Sequence, residues 1–381
     1  MSASTVELRV DGVAVTVPNG AALLEACDRA GRYVPRLCYY PGMDCCSRAG
    51  VGGVECGLCA VRLQDGCVAL ACVTPAAPGS DVITDDPELH ALRLERLAKV
   101  LTRHPHVCLA CPDRDGCYRD QCTYGYPPEA RCCDELGRCE LGKLVAFVDP
   151  GRALARGTVT VPRDPLKEGR IRREPGLCIG CGRCVVVCET SPEAGRALKT
   201  VAIAVGPEHS ASASEFLAQP KEDTLRASGC TFCGQCVMVC PAGALTAPGE
   251  EGARWLAGRR AKSGLVDPVL PPAAWEAIDP ARLTDIPSEA GTFQLMDHEG
   301  HVLRIGGVAD LRQGVAQAVT EPACSTAAYF RVELGPLYTQ RESELLARYA
   351  QEHGNLPAGN DLGEELYDDD LYDDDLSGDD L

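Results

Sequence analysis

A chain of 381 residues leaves room for two or three domains, and its 24 cysteines far exceed average usage. The net charge of −18 excludes a nucleic-acid surface, which needs clustered Lys and Arg to neutralise phosphates, and no stretch reaches the roughly 18 apolar residues of a membrane-spanning helix. The opening MSASTVELRV lacks the basic and apolar segments of a secretory signal, so the expected setting is cytoplasmic and reducing, where clustered cysteines hold metal rather than disulfides.

Residues 5–17 alternate apolar and polar side chains around Asp11-Gly12, a dipeptide favoured in type I′ hairpins, so a β-hairpin opens the chain. Asn19 is placed to cap a helix over 20–30 whose Leu23, Leu24 and Cys27 share one face, which makes Cys27 a core residue. A cysteine-bearing loop follows. Then come a strand over 59–63, a turn at Asp65-Gly66 and a returning strand over 68–73, an order that suggests a β-grasp domain over 1–85. Pro87 suits the first turn of a helix to about Arg103, with Leu89, Leu92, Leu97 and Leu101 at helical intervals.

A second segment, 86–150, carries a histidine and many cysteines, and the Pro-, Gly- and Arg-rich stretch from Asp149 to Gly176 reads as a connector. Two cysteine runs about 50 residues apart then form an internal repeat within 165–250, with a disorder-like spacer at Ser210–Ser214. Residues 251–355 form a C-terminal extension, in which 291–306 suggests a hairpin and 336–353 a helix. From Asp361 to Leu381 there are 11 acidic residues and no basic ones, more than half of the charge imbalance. The tandem LYDDDLYDDD repels itself and buries no core, so 356–381 is expected to be a disordered tail, solubilising or, through Tyr367 and Tyr372, docking. The fold class expected is α+β.

The sharpest chemical signal is Cys178-x2-Cys181-x2-Cys184-x3-Cys188 with its repeat Cys230-x2-Cys233-x2-Cys236-x3-Cys240-Pro241, the spacing of bacterial two-cluster ferredoxins. Three cysteines wrap one cube and the fourth reaches to its twin. Cys178, Cys181, Cys184 and Cys240 are thus assigned to one 4Fe-4S cluster, and Cys230, Cys233, Cys236 and Cys188 to the other. Zinc, which pairs two CxxC elements around one ion, leaves the third and fourth cysteines of each run without use. Glu189 departs from the repeat where Pro241 stands in the second run.

His104-x3-Cys108-x2-Cys111-x5-Cys117 offers four ligands to a further 4Fe-4S cluster, with His106 as a competitor for His104. An imidazole in place of a thiolate removes a negative charge and, as in Rieske centres, should raise the potential. Cys38, Cys56, Cys59 and Cys72 read as a plant-type 2Fe-2S site with altered spacing, in which Cys45 or Cys46 could replace Cys38. Cys67 reads as a turn thiol and Cys324 as structural. Cys122, Cys132, Cys133 and Cys139 follow no standard spacing; they could bind a fifth cluster, offer alternative ligands, or pack a small loop.

These three motifs in this order resemble the N-terminal half of the large iron-sulfur subunit of respiratory NADH dehydrogenase, over about 5–247. They also resemble the N-terminal parts of FeFe hydrogenases and NAD-linked formate dehydrogenases, and the diaphorase iron-sulfur subunit of NAD-linked hydrogenases. The resemblance implies a 2Fe-2S cluster on Cys38, Cys56, Cys59 and Cys72, an unusual 4Fe-4S cluster on His104, Cys108, Cys111 and Cys117, and two more 4Fe-4S clusters on the paired runs. The first cysteine loop is longer than is usual there, and neither a molybdopterin nor a hydrogen-activating domain follows.

No GxGxxG after a strand, Walker A run, HExxH or GxSxG is present, so no nucleotide site or nucleophile is recognisable. The function expected is an electron-transfer subunit with no catalysis of its own. It would relay single electrons between a flavin-containing NAD(H)-binding subunit and a catalytic oxidoreductase subunit: a hydrogenase, a formate dehydrogenase or an acyl-CoA-type reductase. The alternatives are a redox sensor or assembly scaffold, or a self-contained oxidoreductase with its active site in the C-terminal extension.

Overall fold

The structure is a computed structural model that describes residues 4–43, 55–102, 104–109, 111, 122–133, 135–136, 138–149, 165–203, 215–273 and 275–360. Cys45, Cys46, Cys117, the Ser210–Ser214 spacer and residues 361–381 of the expected tail lie outside these residues, whereas its first five residues, 356–360, are ordered against expectation: the Gly359 amide donates to the Leu303 carbonyl and the Asn360 side chain pairs with the Ile305 backbone. The chain forms two compact units, Met1–Pro272 and Ala273–Leu381.

The first unit opens with strands β1 (Thr5–Val10) and β2 (Val13–Pro18), paired antiparallel across Asp11 and Gly12, whose φ angles of 48° and 80° are those a type I′ turn requires. Val6, Leu8 and Val10 face the core while Glu7 and Arg9 face outward. Helix α1 (Leu23–Arg29) is shorter than the sequence suggests, and Asn19 does not cap it. The reason is that loop carbonyls do the capping: the amides of Leu23 and Leu24 donate to the carbonyl oxygens of Thr74 and Ala71, satisfying the first turn and tying α1 to the loop that bears Cys72. Cys27 is fully buried in the apolar core beneath this sheet.

Strands β3 (Ala60–Leu63), β4 (Val68–Leu70) and β5 (Asp81–Ile83) complete a five-stranded sheet of order β2-β1-β5-β3-β4, antiparallel except for β1 beside β5. Asp86 caps α2 (Pro87–Leu101) by accepting from the Leu89 amide. Leu89, Leu97 and Leu101 are buried, but the expected Leu92 is only half-buried and Arg93 goes inside instead. Its two terminal guanidinium nitrogens donate to Asp85 and to the Ala60 and Thr84 carbonyls, so the helix is riveted to the sheet by polar bonds as well as leucines. Helix α3 (Glu140–Val148) packs against α2.

Strands β6 (Leu166–Glu168) and β7 (Ile171–Arg173) form a hairpin where the sequence suggests only a connector. Helix α4 (Arg183–Thr190), the pair β8 (Leu198–Ile203) and β9 (Glu215–Pro220), helix α5 (Gln235–Met238) and strand β10 (Leu245–Thr246) follow. β10 joins the hairpin in the order β10-β7-β6. Helix α6 (Gly249–Ser263) packs on α5 within the same unit.

The second unit holds β11 (Glu276–Ala277), α7 (Pro280–Asp285), β12 (Gly291–Met296), β13 (Val302–Val308), α8 (Leu311–Ala318), β14 (Tyr329–Leu334) and α9 (Tyr338–His353). Its antiparallel sheet, of order β11-β14-β12-β13, contains the expected hairpin, and the expected helix is α9. Phe293, Leu295, Ile305, Leu311, Val315 and Phe330 make its core, with Cys324 buried among them. No helix among the described residues is long and apolar enough to cross a membrane.

Candidate iron-sulfur sites

Four thiols gather where the first sheet meets α2. Cys56 lies in the loop before β3, Cys59 immediately precedes that strand, Cys72 follows β4, and Cys38 comes from the loop after α1. They stand in two pairs: Cys38 Sγ is 3.5 Å from Cys56 Sγ, and Cys59 Sγ is 3.2 Å from Cys72 Sγ. Each pair receives a backbone N–H, from Leu58 at Cys56 and from Cys72 at Cys59. The contact between partner thiols, then burial, pushes Cys56 and Cys59 well above an ordinary thiol pKa, so two negative sulfurs this close require a cation. Gly57 turns the loop at φ 64°, and the Arg96 side chain lies where a Cβ would project. Cys67 is exposed in its turn.

His104 and His106 are both buried, in the turn that ends α2. His104 Nε2 lies 3.4 Å from the Ala242 carbonyl oxygen, and His106 Nδ1 donates to the His104 carbonyl at 2.7 Å. The imidazole of His104 therefore sits between α2 and the loop after Cys240, a long-range placement that no local spacing reveals. Cys108 and Cys111 follow on the same turn, joined by a Cys111 N–H to Cys108 carbonyl bond of 3.3 Å.

The paired runs enclose two cavities. Cys178, Cys181, Cys184 and Cys240 line the first, and Cys188, Cys230, Cys233 and Cys236 line the second. The repeat persists in the backbone, with Gly182 and Gly234 at φ 76° and 82° starting α4 and α5. In each run the amide two residues after the first cysteine donates to its sulfur, Gly180 to Cys178 at 3.4 Å and Phe232 to Cys230 at 3.3 Å. Glu189 has a structural consequence: α4 runs on to Thr190, whereas α5 stops at Met238 ahead of Pro241, which cannot continue a helix. Burial raises Cys181, Cys184, Cys236 and Cys240, and at Cys240 the amides of Ala242, Leu245 and Ala244 oppose it by donating to the sulfur. Four thiols around each cavity, buried or half-buried, with N–H groups aimed at sulfur, fit a cluster better than a packed core.

The remaining cysteines divide between these sites. Cys132 lies against Cys108, whereas Cys133 packs with Leu177 and Ala244 beside Cys178 and Cys240, close to Gly243. Cys139 starts α3, its sulfur accepting the Gly142 N–H at 3.3 Å. The neighbours Cys132 and Cys133 thus serve different surroundings. In the second unit Asp297, Glu299 and His301 bring donor atoms within 4.8 Å of one another, but Asp297 is occupied in closing the β12–β13 turn through the Glu299 and His301 amides.

Thiols from three of the sites border one apolar core. Leu37, Leu58, Leu97, Leu101, Leu109, Leu141, Leu144 and Ile179 pack with Cys38 and Cys56, with Cys108 and Cys132, and with Cys181.

Residues 3–87 match the family model of a 2Fe-2S iron-sulfur cluster binding domain, and residues 177–244 that of a 4Fe-4S dicluster domain. His104 and the cysteines from 108 to 139 lie between the two. Among curated proteins, a subunit of the NADH-quinone oxidoreductase of Rhizobium meliloti is 28% identical over 248 residues, covering 63% of this chain and 24% of the relative. The mitochondrial NADH dehydrogenase [ubiquinone] iron-sulfur protein 1 of Solanum tuberosum is 32% identical over 185 residues, 47% of this chain and 21% of the relative. A crystal structure of NAD+-reducing [NiFe]-hydrogenase in the H2-reduced state is 22% identical with a TM-score of 0.44, covering 64% of this chain and 87% of that one. The chain spans about a quarter of the length of the curated relatives it matches. Its 2Fe-2S and 4Fe-4S dicluster domains, and the relatives they align with, make the chain a homologue of the iron-sulfur subunits of NADH-quinone oxidoreductase, among them the mitochondrial 78 kDa subunit of the NADH-ubiquinone enzyme.

Proposed function

We propose that the chain is an iron-sulfur electron-transfer subunit that relays single electrons between a flavin-containing NAD(H)-binding subunit and a catalytic oxidoreductase subunit in the cytoplasm. The observation that carries this reading is the common apolar core against which thiols of three sites pack, since a relay needs its centres close and dry. The clusters would supply one-electron carriers, and the chain's own residues hold them, exclude water and set potential through ligand type and N–H groups on sulfur.

In this reading Cys38, Cys56, Cys59 and Cys72 hold a 2Fe-2S cluster in a β-grasp domain over 1–85. His104, Cys108 and Cys111, with Cys117 as the donor expected from spacing, hold a 4Fe-4S cluster in 86–150. Cys178, Cys181, Cys184 and Cys240 hold a second, and Cys188, Cys230, Cys233 and Cys236 a third, in 165–250. The two four-thiol cavities support the crossed assignment. The catalytic partner would be a hydrogenase, a formate dehydrogenase or an acyl-CoA-type reductase.

The test is iron and sulfide analysis with EPR of the reduced, anaerobically purified chain. One 2Fe-2S and three 4Fe-4S clusters predict about 14 irons. Zinc in place of iron, or the absence of reducible centres, would falsify the proposal.

A further inference from the structure

Strand β7 contributes to the walls of both four-thiol cavities, and its inward side chains differ between them. Ile171 and Arg173 occupy the buried face of the strand, on either side of the half-buried Arg172. Ile171 lines the cavity of Cys188, Cys230, Cys233 and Cys236, whereas Arg173 lines that of Cys178, Cys181, Cys184 and Cys240. The internal repeat thus has an apolar residue in one wall and a guanidinium in the other.

Arg173 is only 8% exposed, and its Nε is buried without a hydrogen-bond partner. The other charges beside this cavity are already matched. Glu174, which also lines it, pairs with Arg172 at 3.2 Å, and the buried Arg183 pairs with Glu140 at 2.7 Å. Burial holds the Arg173 pKa below the ordinary guanidinium value, with Glu168 opposing. Glu168 itself is bound to the Leu225 amide at 2.6 Å, and Leu225 lines the other cavity, where the carboxylate raises Cys230. One cavity therefore has an unmatched cation in its wall, and its twin has a carboxylate nearby.

A buried cation without a countercharge is strongly unfavourable. Four thiolates around an iron-sulfur cube supply that countercharge, and the electron such a centre accepts adds to it, so a guanidinium in the wall favours the reduced form. We propose that Arg173 is the built-in countercharge of the centre held by Cys178, Cys181, Cys184 and Cys240, a positioning residue that raises its potential relative to the twin. An electron on the pair then settles preferentially on this centre. The inference deepens the relay reading and rests on that cavity holding a cluster.

The experiment compares full-length chains, wild-type or carrying Arg173→Met, Arg173→Lys or Arg170→Gln, purified anaerobically, by iron content and EPR-monitored redox titration. Met keeps the bulk and removes the charge, Lys keeps the charge, and Arg170 is an exposed arginine of the same hairpin, paired with Glu251. Arg173→Met is expected to shift one 4Fe-4S centre toward its oxidised form about tenfold, about 59 mV for one electron, while the other two variants stay near wild type. Loss of about four irons in Arg173→Met that Arg173→Lys does not share supports the inference equally, because the charge then retains the anionic centre. Unchanged midpoints at wild-type iron in Arg173→Met overturn it, as do equal effects of Met and Lys, which report packing, or an equal shift of every centre. A wild-type chain with no reducible cluster overturns the relay reading instead.

Discussion

Arg183 and Glu140 meet in a two-pronged ion pair, Nη1 to Oε2 at 2.7 Å and Nη2 to Oε1 at 2.8 Å, with side chains only 1% and 9% exposed. The guanidinium also lies over the Tyr40 ring, 5.5 Å from its centroid. The pair joins the first turn of α3, immediately after Cys139, to the first turn of α4, which carries Cys184 and Cys188. Removing one partner strands the other's charge in a dry interior. Glu140→Ala is therefore expected to cost about 3–5 kcal/mol, whereas Glu140→Leu combined with Arg183→Met costs much less than the two single changes added together. Denaturant unfolding of the four chains of this cycle measures the coupling, and additive losses would refute it.

Gly243 sits at φ 70° in the loop after Cys240, and a Cβ there would come within 3.3 Å of Cys133 Sγ and Glu135 Cγ. Gly249 has a similar φ of 76° but nothing within 4 Å. Gly249→Ala should thus cost about 1 kcal/mol, for conformation alone, and Gly243→Ala about 2–3 kcal/mol because contact is added to strain. Introducing Cys133→Ala beside Gly243→Ala should recover part of the difference. Equal losses at the two glycines would show that the loop yields.

Much of this arrangement is legible in the sequence wherever the determinant is local. Asp11-Gly12 sets the first hairpin, Pro87 the start of α2, and the cysteine spacing matches the grouping of thiols around each cavity. What the sequence hides is long-range. Asn19 looks like a cap, but carbonyls of Ala71 and Thr74, about 50 residues away in the chain, fill that role. Arg93 enters the core in place of Leu92 because β3 and the end of β5 present carbonyls to it. β6 and β7 are only three residues each, too short for an alternating pattern, and they persist because β10 supplies a third strand. The contact of Cys132 with Cys108 spans 24 residues and leaves no trace in spacing.

Asp86 is held at a pKa of about 2, below the usual carboxylate range, by the Arg62 guanidinium and by the Leu89 amide it caps. A carboxyl with a depressed folded-state pKa stabilises the fold above its unfolded value of about 4, and that contribution is lost as pH falls toward about 2. Asp86→Asn keeps a capping oxygen but removes the charge. Its stability deficit should be present at neutral pH and shrink on acidification between about pH 4 and 2. Unfolding free energies measured across that interval check the sign, and a deficit that grows on acidification would contradict it.

His104 offers the most direct probe of the relay's tuning. Its ring is buried and its Nε2 lies 3.4 Å from the Ala242 carbonyl, so the imidazole is oriented by the loop that follows Cys240. As a neutral ligand it leaves the proposed cluster one negative charge short of an all-thiolate set, which favours the reduced form. His104→Cys restores that charge and should lower the potential of one 4Fe-4S centre by on the order of 100 mV, leaving the 2Fe-2S centre unmoved. His106→Gln is the control, because the His106 ring is turned back onto the His104 carbonyl through Nδ1 and its loss should shift that potential far less. An EPR-monitored redox titration distinguishes the cases. If His106→Gln moves a centre and His104→Cys does not, the ligand is His106, and the tuning originates two residues further along the turn.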